Sequence, residues 1–168
     1  FNLYLIVSRE QPVYGHLLDI LNKPSYREAQ ARMCLPYIVG HDVLGGVVID
    51  DLAHFPHLLL GGSTNSGKSV GLQALITSIA YSKSPSRVNF ILIDVGATSL
   101  MPFEGLPHLS CPVVRNRMTA VETLTALTVE MERRIELEYT DSASFKRLPR
   151  LVVVIDEFPA LFMGVDKS

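Results

Sequence analysis

Eight residues, Gly62-Ser63-Thr64-Asn65-Ser66-Gly67-Lys68-Ser69, match the pattern G-x-x-x-x-G-K-[ST] in full. That spacing suits a triphosphate, whose dense negative charge has to be wrapped by backbone N–H groups. Gly62 and Gly67 let the main chain turn and approach without a Cβ in the way. Lys68 can reach the β- and γ-phosphates as a mobile point charge, and the Ser69 hydroxyl can ligate Mg²⁺. A second set of chemical groups comes later, in Leu151-Val152-Val153-Val154-Ile155-Asp156-Glu157, where five apolar residues run into two acids. In that position Asp156 would hold Mg²⁺ through water, and Glu157 would orient and polarise an attacking water. The bland alternative is an acidic pair that ends a strand. The order of the two motifs along the chain favours the catalytic reading. Asp94 closes another apolar run and could support the site; from position alone, a turn or cap carboxylate explains it equally.

These groups need elements to carry them. A phosphate-binding loop should follow a buried strand and open a helix. His57-Leu58-Leu59-Leu60-Gly61 is the apolar run before the loop, and the spacing of Leu72, Leu75, Ile76, Ile79 and Ala80 predicts a helix over Val70–Tyr81. Such a helix aims its positive N-terminal end at the phosphates. Val88–Asp94 and Leu151–Ile155 read as buried strands, with Asp94, Asp156 and Glu157 at the C-terminal ends where open α/β sheets bind ligands.

Upstream, Leu3–Val7 reads as a strand, and Gly15–Leu21 and Tyr26–Met33 as short helical pieces around Pro24. Tyr37–Val39 and Val47–Ile49 flank a Gly-rich connection and suggest a hairpin. Downstream, a short strand is expected within Pro112–Arg115. A long helix is expected to open at Thr119, with Glu122 at capping-box spacing and an apolar stripe of Ala120, Leu124, Leu127, Met131 and Ile135. Thr140–Arg150 reads as a polar loop. The expected division is a mixed segment with the hairpin over 1–52, then the N-terminal portion of an ATPase core over 53–168.

Length and composition set bounds on this. The 168 residues, 48% hydrophobic and 19% charged, describe a globular chain with enough length for a core. No apolar run approaches the roughly 20 residues of a membrane helix. A net charge of −2 gives no whole-chain pull toward nucleic acid, which leaves room only for local contacts by a few loops. Cys34 and Cys111 are too few for a disulfide framework and read as idle thiols. His54 and His57 have no third ligand nearby, so a metal site there is not expected. Lys146, Arg147 and Arg150, like Arg115 and Arg117, read as solvated charge. The chain begins at Phe1 rather than Met and is expected to be a piece of something longer.

Beyond the loop itself, Pro56–Val70 resembles the P-loop block of the FtsK/SpoIIIE family of DNA-pumping ATPases. Glu104-Gly105-Leu106-Pro107-His108-Leu109 is similar to that family's E-G-I-P-H-L, and Glu130-Met131-Glu132-Arg133-Arg134 to its E-M-E-R-R. Val154-Ile155-Asp156-Glu157-Phe158 resembles its Walker B. Ile38–Asp42 and Val47–Leu52 resemble its L-G-K-D and V-V-A-D-L hairpin. The chain departs from the pattern at Asp94-Val95-Gly96, where the family has D-P-K, and at Thr98-Ser99-Leu100-Met101, where it has M-L-E-L. The Thr140–Leu148 loop is also short against the family.

The resemblance implies a RecA-like α/β P-loop core with a mostly parallel sheet, preceded by the small β-rich segment, with the C-terminal part of the core absent. It implies ATP bound by Gly62, Ser63, Thr64, Asn65, Ser66, Gly67, Lys68, Ser69 and Val70, Mg²⁺ at Ser69 and Asp156, and catalysis by Glu157 and Lys68. It further implies a homo-hexameric ring on double-stranded DNA, cytoplasmic and tethered to the bacterial inner membrane by segments absent here. The sensor strand, arginine finger, DNA-contacting loops and winged helix are expected after Ser168, so weak or no turnover is expected from this piece alone. Two rival readings are a type VII protein-secretion ATPase of the same fold and a ring module that binds ATP without hydrolysing it.

Overall fold

The computed structural model describes residues 15–42, 44–62 and 66–162. The expected strand Leu3–Val7 lies outside them. The chain divides into two compact units, residues 1–82 and 83–168, each with its own core.

In the first unit, α1 (Leu17–Leu21) and α2 (Pro24–Arg32) are followed by β1 (Pro36–His41) and β2 (Val47–Asp51). The two strands pair antiparallel, so the expected hairpin is present, with an irregularity between Ile38 and Gly40. Proline at the start of α2 suits a position whose N–H has no helical partner. Ile20, Leu21, Tyr26 and Ile38 form a buried cluster. The Asp51 carboxylate pins the end of β2 by accepting the N–H groups of Cys34 and Leu35, each at 2.8 Å, and of Ala53 at 3.0 Å. The unit closes with α3 (Lys68–Ser82), a turn longer than Val70–Tyr81, which buries Leu72, Leu75, Ile76 and Ile79. Ser78 ties this helix to its neighbours. Its hydroxyl accepts the Ile38 N–H at 3.3 Å, and its carbonyl accepts the buried Tyr26 hydroxyl.

His57–Gly61 does not form the expected strand, and Leu59 is 92% exposed. A strand is held by ladder hydrogen bonds to a neighbour, and no strand among the described residues pairs with this segment.

In the second unit, β3 (Val88–Asp94) and β4 (Arg150–Asp156) pair in parallel and in continuous register, Val88 against Arg150 through Asp94 against Asp156. On the other edge of β3, residues 108–114 add parallel bridges, Leu109 to Phe90 and Val114 to Ile93. The expected strand at 112–115 is thus a single bridge. His108 Nε2 lies 2.7 Å from the Lys83 carbonyl oxygen and anchors this edge. The helix α4 (Arg117–Thr140) crosses between the strands. Its N-cap is Asn116, whose Oδ1 accepts the Thr119 N–H at 2.9 Å, so the helix opens two residues before Thr119 and the expected capping box is not formed.

The α4 stripe is core only in part. Ala120, Leu124 and Leu127 pack on Ile91, Ile93 and Val114, but Met131 and Ile135 are about half exposed. A 24-residue helix is about 36 Å long, against about 23 Å for a seven-residue strand, so its last turns overrun the sheet. Glu130 on that overhang accepts from Arg133 Nε at 2.6 Å and Arg134 Nε at 2.7 Å, and Arg134 Nη1 donates to the Pro149 carbonyl at 2.8 Å, just before β4. Within the expected polar loop, Asp141 caps a one-turn helix, α5 (Ser142–Phe145).

Candidate functional site

The predicted site residues fall in both units. In the first, Gly62 and Ser66–Val70 surround the N-terminus of α3; Ser63, Thr64 and Asn65 lie outside the described residues. Gly67 has φ +90°, a left-handed conformation that L side chains rarely adopt, and its carbonyl accepts the Gly71 N–H at 2.8 Å to start the helix. A Cβ on Gly62 would meet the Ser66 hydroxyl oxygen. The first N–H groups of a helix have no helical acceptor, and α3 carries no acidic residue in its first turn to compete for them. This cradle fits an anion such as a triphosphate. Ser66, Gly67 and Val70 are exposed, and Lys68 and Ser69 are half-buried.

In the second unit, parallel pairing makes Asp94 and Asp156 register partners at the C-terminal ends of β3 and β4. Both are buried, at 1% and 4% exposure. Asp94 Oδ2 accepts the Leu100 N–H at 2.8 Å; Asp94 Oδ1 is buried with no hydrogen-bond partner. Asp156 Oδ1 accepts the Glu157 N–H at 3.0 Å, and Oδ2 accepts the Ser99 hydroxyl. Glu157 is exposed and has φ 53°, ψ 54°, the one non-glycine residue with positive φ among those described. A short 3-10 turn, Phe158–Leu161, follows and buries Leu161 against Ile91 and Ile93.

Two strand-end carboxylates, one with an orphaned oxygen, suit Mg²⁺. That ion takes one or two carboxylates, keeps several waters and completes its shell with phosphate. Asp94, ambiguous in sequence, is placed beside Asp156. Ser99 had no signal of its own beyond lying in the stretch that departs from the resembled pattern. His54, His57, Arg115, Lys146, Arg147 and Arg150 are exposed.

The sequence profile of the FtsK/SpoIIIE family matches residues 16–138. The DNA translocase FtsK of Pseudomonas aeruginosa is 35% identical over 89% of this chain and 23% of its own length. That of Caldanaerobacter subterraneus subsp. tengcongensis is 36% identical over 90% of this chain and 22% of its own. The chain therefore spans less than a quarter of the length of these curated relatives. Among solved structures, the cytoplasmic domain of the Thermomonospora curvata type VII secretion ATPase EccC aligns with TM-score 0.62 and 31% identity, over 74% of this chain and 17% of that one. The pCW3 conjugation coupling protein TcpA, solved with ATPγS, aligns with TM-score 0.60 over 86% of this chain and 42% of that one; at 23% identity it speaks to fold alone.

Proposed function

The chain belongs to the FtsK/SpoIIIE family, and we propose that it forms the nucleotide-gripping portion of an ATP-driven double-stranded DNA translocase. The observation that carries this reading is the identity of about 35% to DNA translocases over nine-tenths of the chain. The RecA-like core binds ATP through the loop from Gly62 to Val70. Its N–H groups and the N-terminus of α3 hold the phosphates, and Lys68 neutralises the β- and γ-phosphoryl oxygens. Ser69 would supply a hydroxyl ligand to Mg²⁺, and Asp156, which has Asp94 as its register partner, would supply a carboxylate acting through water. When bound, that ion offsets charge on the β- and γ-phosphates. Glu157 accepts a hydrogen bond from the attacking water and aligns it in line with the leaving oxygen. The exposure of Glu157 at a strand's C-terminal end supports that role.

The working assembly is a homo-hexamer around DNA, facing the cytoplasm and anchored to the bacterial inner membrane by other segments. No helix among the described residues is long and apolar enough to cross a membrane. One observation favours a second reading, a protein-secreting ATPase: the 31% identity and TM-score of 0.62 with EccC.

A binding and turnover experiment tests the proposal. A fluorescent ATP analogue should bind the chain in Mg²⁺, and Lys68→Ala should weaken binding at least tenfold. In a full-length protein carrying the chain, double-stranded DNA should stimulate ATP hydrolysis. Glu157→Gln should retain binding and lose turnover. Hydrolysis indifferent to DNA favours the secretion reading, and turnover surviving in Glu157→Gln removes Glu157 as the base.

A further inference from the structure

The second unit gathers cationic charge at one end, although the whole chain carries a net charge of −2. Residues 83–87 and 142–150 hold five Lys and Arg and no Asp or Glu. They are far apart in sequence, and the parallel register joins them: Arg150 is the partner of Val88, and its N–H donates to the Arg87 carbonyl at 2.9 Å. Both turns are fixed. The Ser84 carbonyl accepts the Arg87 N–H at 2.8 Å, and Asn89 Nδ2 donates to the Pro85 carbonyl at 3.0 Å. In the other segment the Ser142 and Ser144 carbonyls accept the N–H groups of Lys146 and Arg147, each at 3.1 Å, and Arg134 Nη1 donates to the Pro149 carbonyl at 2.8 Å. Arg87, Lys146, Arg147 and Arg150 are exposed. Among the described residues the side chains of Arg87, Lys146 and Arg150 make no hydrogen bond or ion pair, and Arg147 donates to the Ser144 hydroxyl at 3.3 Å. Asp141, the acid next to the second segment, is engaged as the α5 cap.

We propose that this end of the second unit is a contact surface for the phosphate backbone of double-stranded DNA, with Arg87, Lys146, Arg147 and Arg150 as its cationic groups. The proposal rests on the translocase reading above and extends it to residues outside the nucleotide site. The patch lies at the N-terminal ends of β3 and β4, and seven-residue strands put it about 20 Å from Asp94 and Asp156. A guanidinium forks two donors onto a phosphate, and the hydroxyls of Ser84 and Ser86, 2.8 Å apart, add uncharged phosphate ligands. A membrane surface is a poorer match. Segments that bind one push Trp, Phe or Leu among the lipids, whereas the bulky apolar residues here, Phe145 and Leu148, are half-buried. Turns already fixed lose little freedom on binding. Contacts to phosphate carry no sequence information, so binding should be indifferent to base sequence.

The test measures the anisotropy of a fluorescein-labelled duplex with the 168-residue chain, between about 50 and 200 mM salt. Each phosphate contact contributes about 0.9 to the slope of log affinity against log salt. Arg87→Gln should lower that slope by about 1 and leave the melting temperature within about 2 °C of wild type. Exchanging Arg87, Lys146, Arg147 and Arg150 together for Gln should lower the slope by about 3–4 and weaken binding at least about tenfold. Exchanging the three arginines for Lys keeps the charge and should keep the slope. Unchanged affinity and slope in the fourfold Gln variant overturn the proposal. So does a wild-type chain that binds no duplex at about 50 mM salt. Binding to phosphatidylserine vesicles in preference to the duplex also overturns it, because the surface is then a membrane contact. The translocase reading is decided separately, by whether double-stranded DNA stimulates ATP hydrolysis in the full-length protein.

Discussion

Replacing Glu157 with glycine should stabilise the protein while removing the carboxylate proposed to orient water. Glu157 sits at φ 53°, ψ 54°, where an L residue's Cβ crowds the following carbonyl at a cost of about 1–2 kcal/mol. Glycine relieves that crowding but adds freedom to the unfolded chain, which opposes the gain by about 0.4–1 kcal/mol. The Glu157 side chain is exposed, so little burial is lost. The net gain is about 0.5–1 kcal/mol, or roughly 1–4 °C in Tm for a chain of this size. Circular dichroism melts of wild type, Glu157→Gly, Glu157→Asn and Glu157→Ala would measure it. Asparagine tolerates the left-handed region and should fall between wild type and glycine; alanine keeps the strain and should gain nothing. A glycine variant that melts with or below the alanine variant would refute the reasoning. If the ranking holds, a strained backbone is being kept at the residue proposed for chemistry, and strain of this kind is often stored at functional sites.

Other outcomes follow from the hydrogen bonds. Asp51→Ala strands three N–H groups, those of Leu35, Cys34 and Ala53, and should cost about 2–4 kcal/mol by urea denaturation. Burial pushes the Asp51 carboxyl upward, but the N–H groups of Leu35, Cys34 and Ala53 outweigh it, and its pKa lies below the ordinary 3.8. Its contribution is therefore present above pH 3.8 and lost as pH falls through the lower folded value, so the alanine variant should show a flatter decline of stability below about pH 4. An undiminished acid slope in that variant argues against the assignment. Glu130 is held down to about 2 by hydrogen bonds from Arg133 and then Arg134. Its exposure leaves only about 0.5–1 kcal/mol, present above the ordinary 4.5 and lost as pH falls toward 2. A carboxyl NMR titration midpoint near 4.5 would contradict the ion pair.

Part of the fold was legible because its signals are local. The α3 helix carries Leu72, Leu75, Ile76 and Ile79 at helical spacing over about two turns, and the β3 and β4 runs are short, apolar and bounded by polar residues. The strand expected at His57–Gly61 was not found, because a ladder depends on a neighbour and not on the segment's own composition. Thr119 lost the α4 cap to Asn116, which offers a carbonyl oxygen three residues earlier. Met131 and Ile135 have the right period but lie past the end of the sheet that would bury them.

The site divides along the same line. Residue types and spacing alone carry the proposal of a phosphate-binding loop, because backbone amides, one lysine and one hydroxyl in a fixed interval are a local device. The same holds for the acids Asp156 and Glu157 after an apolar run. Only the tertiary structure decided that Asp94 stands beside Asp156, that Ser99 holds one of its oxygens, and that Glu157 turns left-handed. The first two depend on the register of two strands separated by more than fifty residues. The evenly spaced, slanted hydrogen bonds of the parallel pair and the burial of its apolar faces set that register, and no window of sequence contains it.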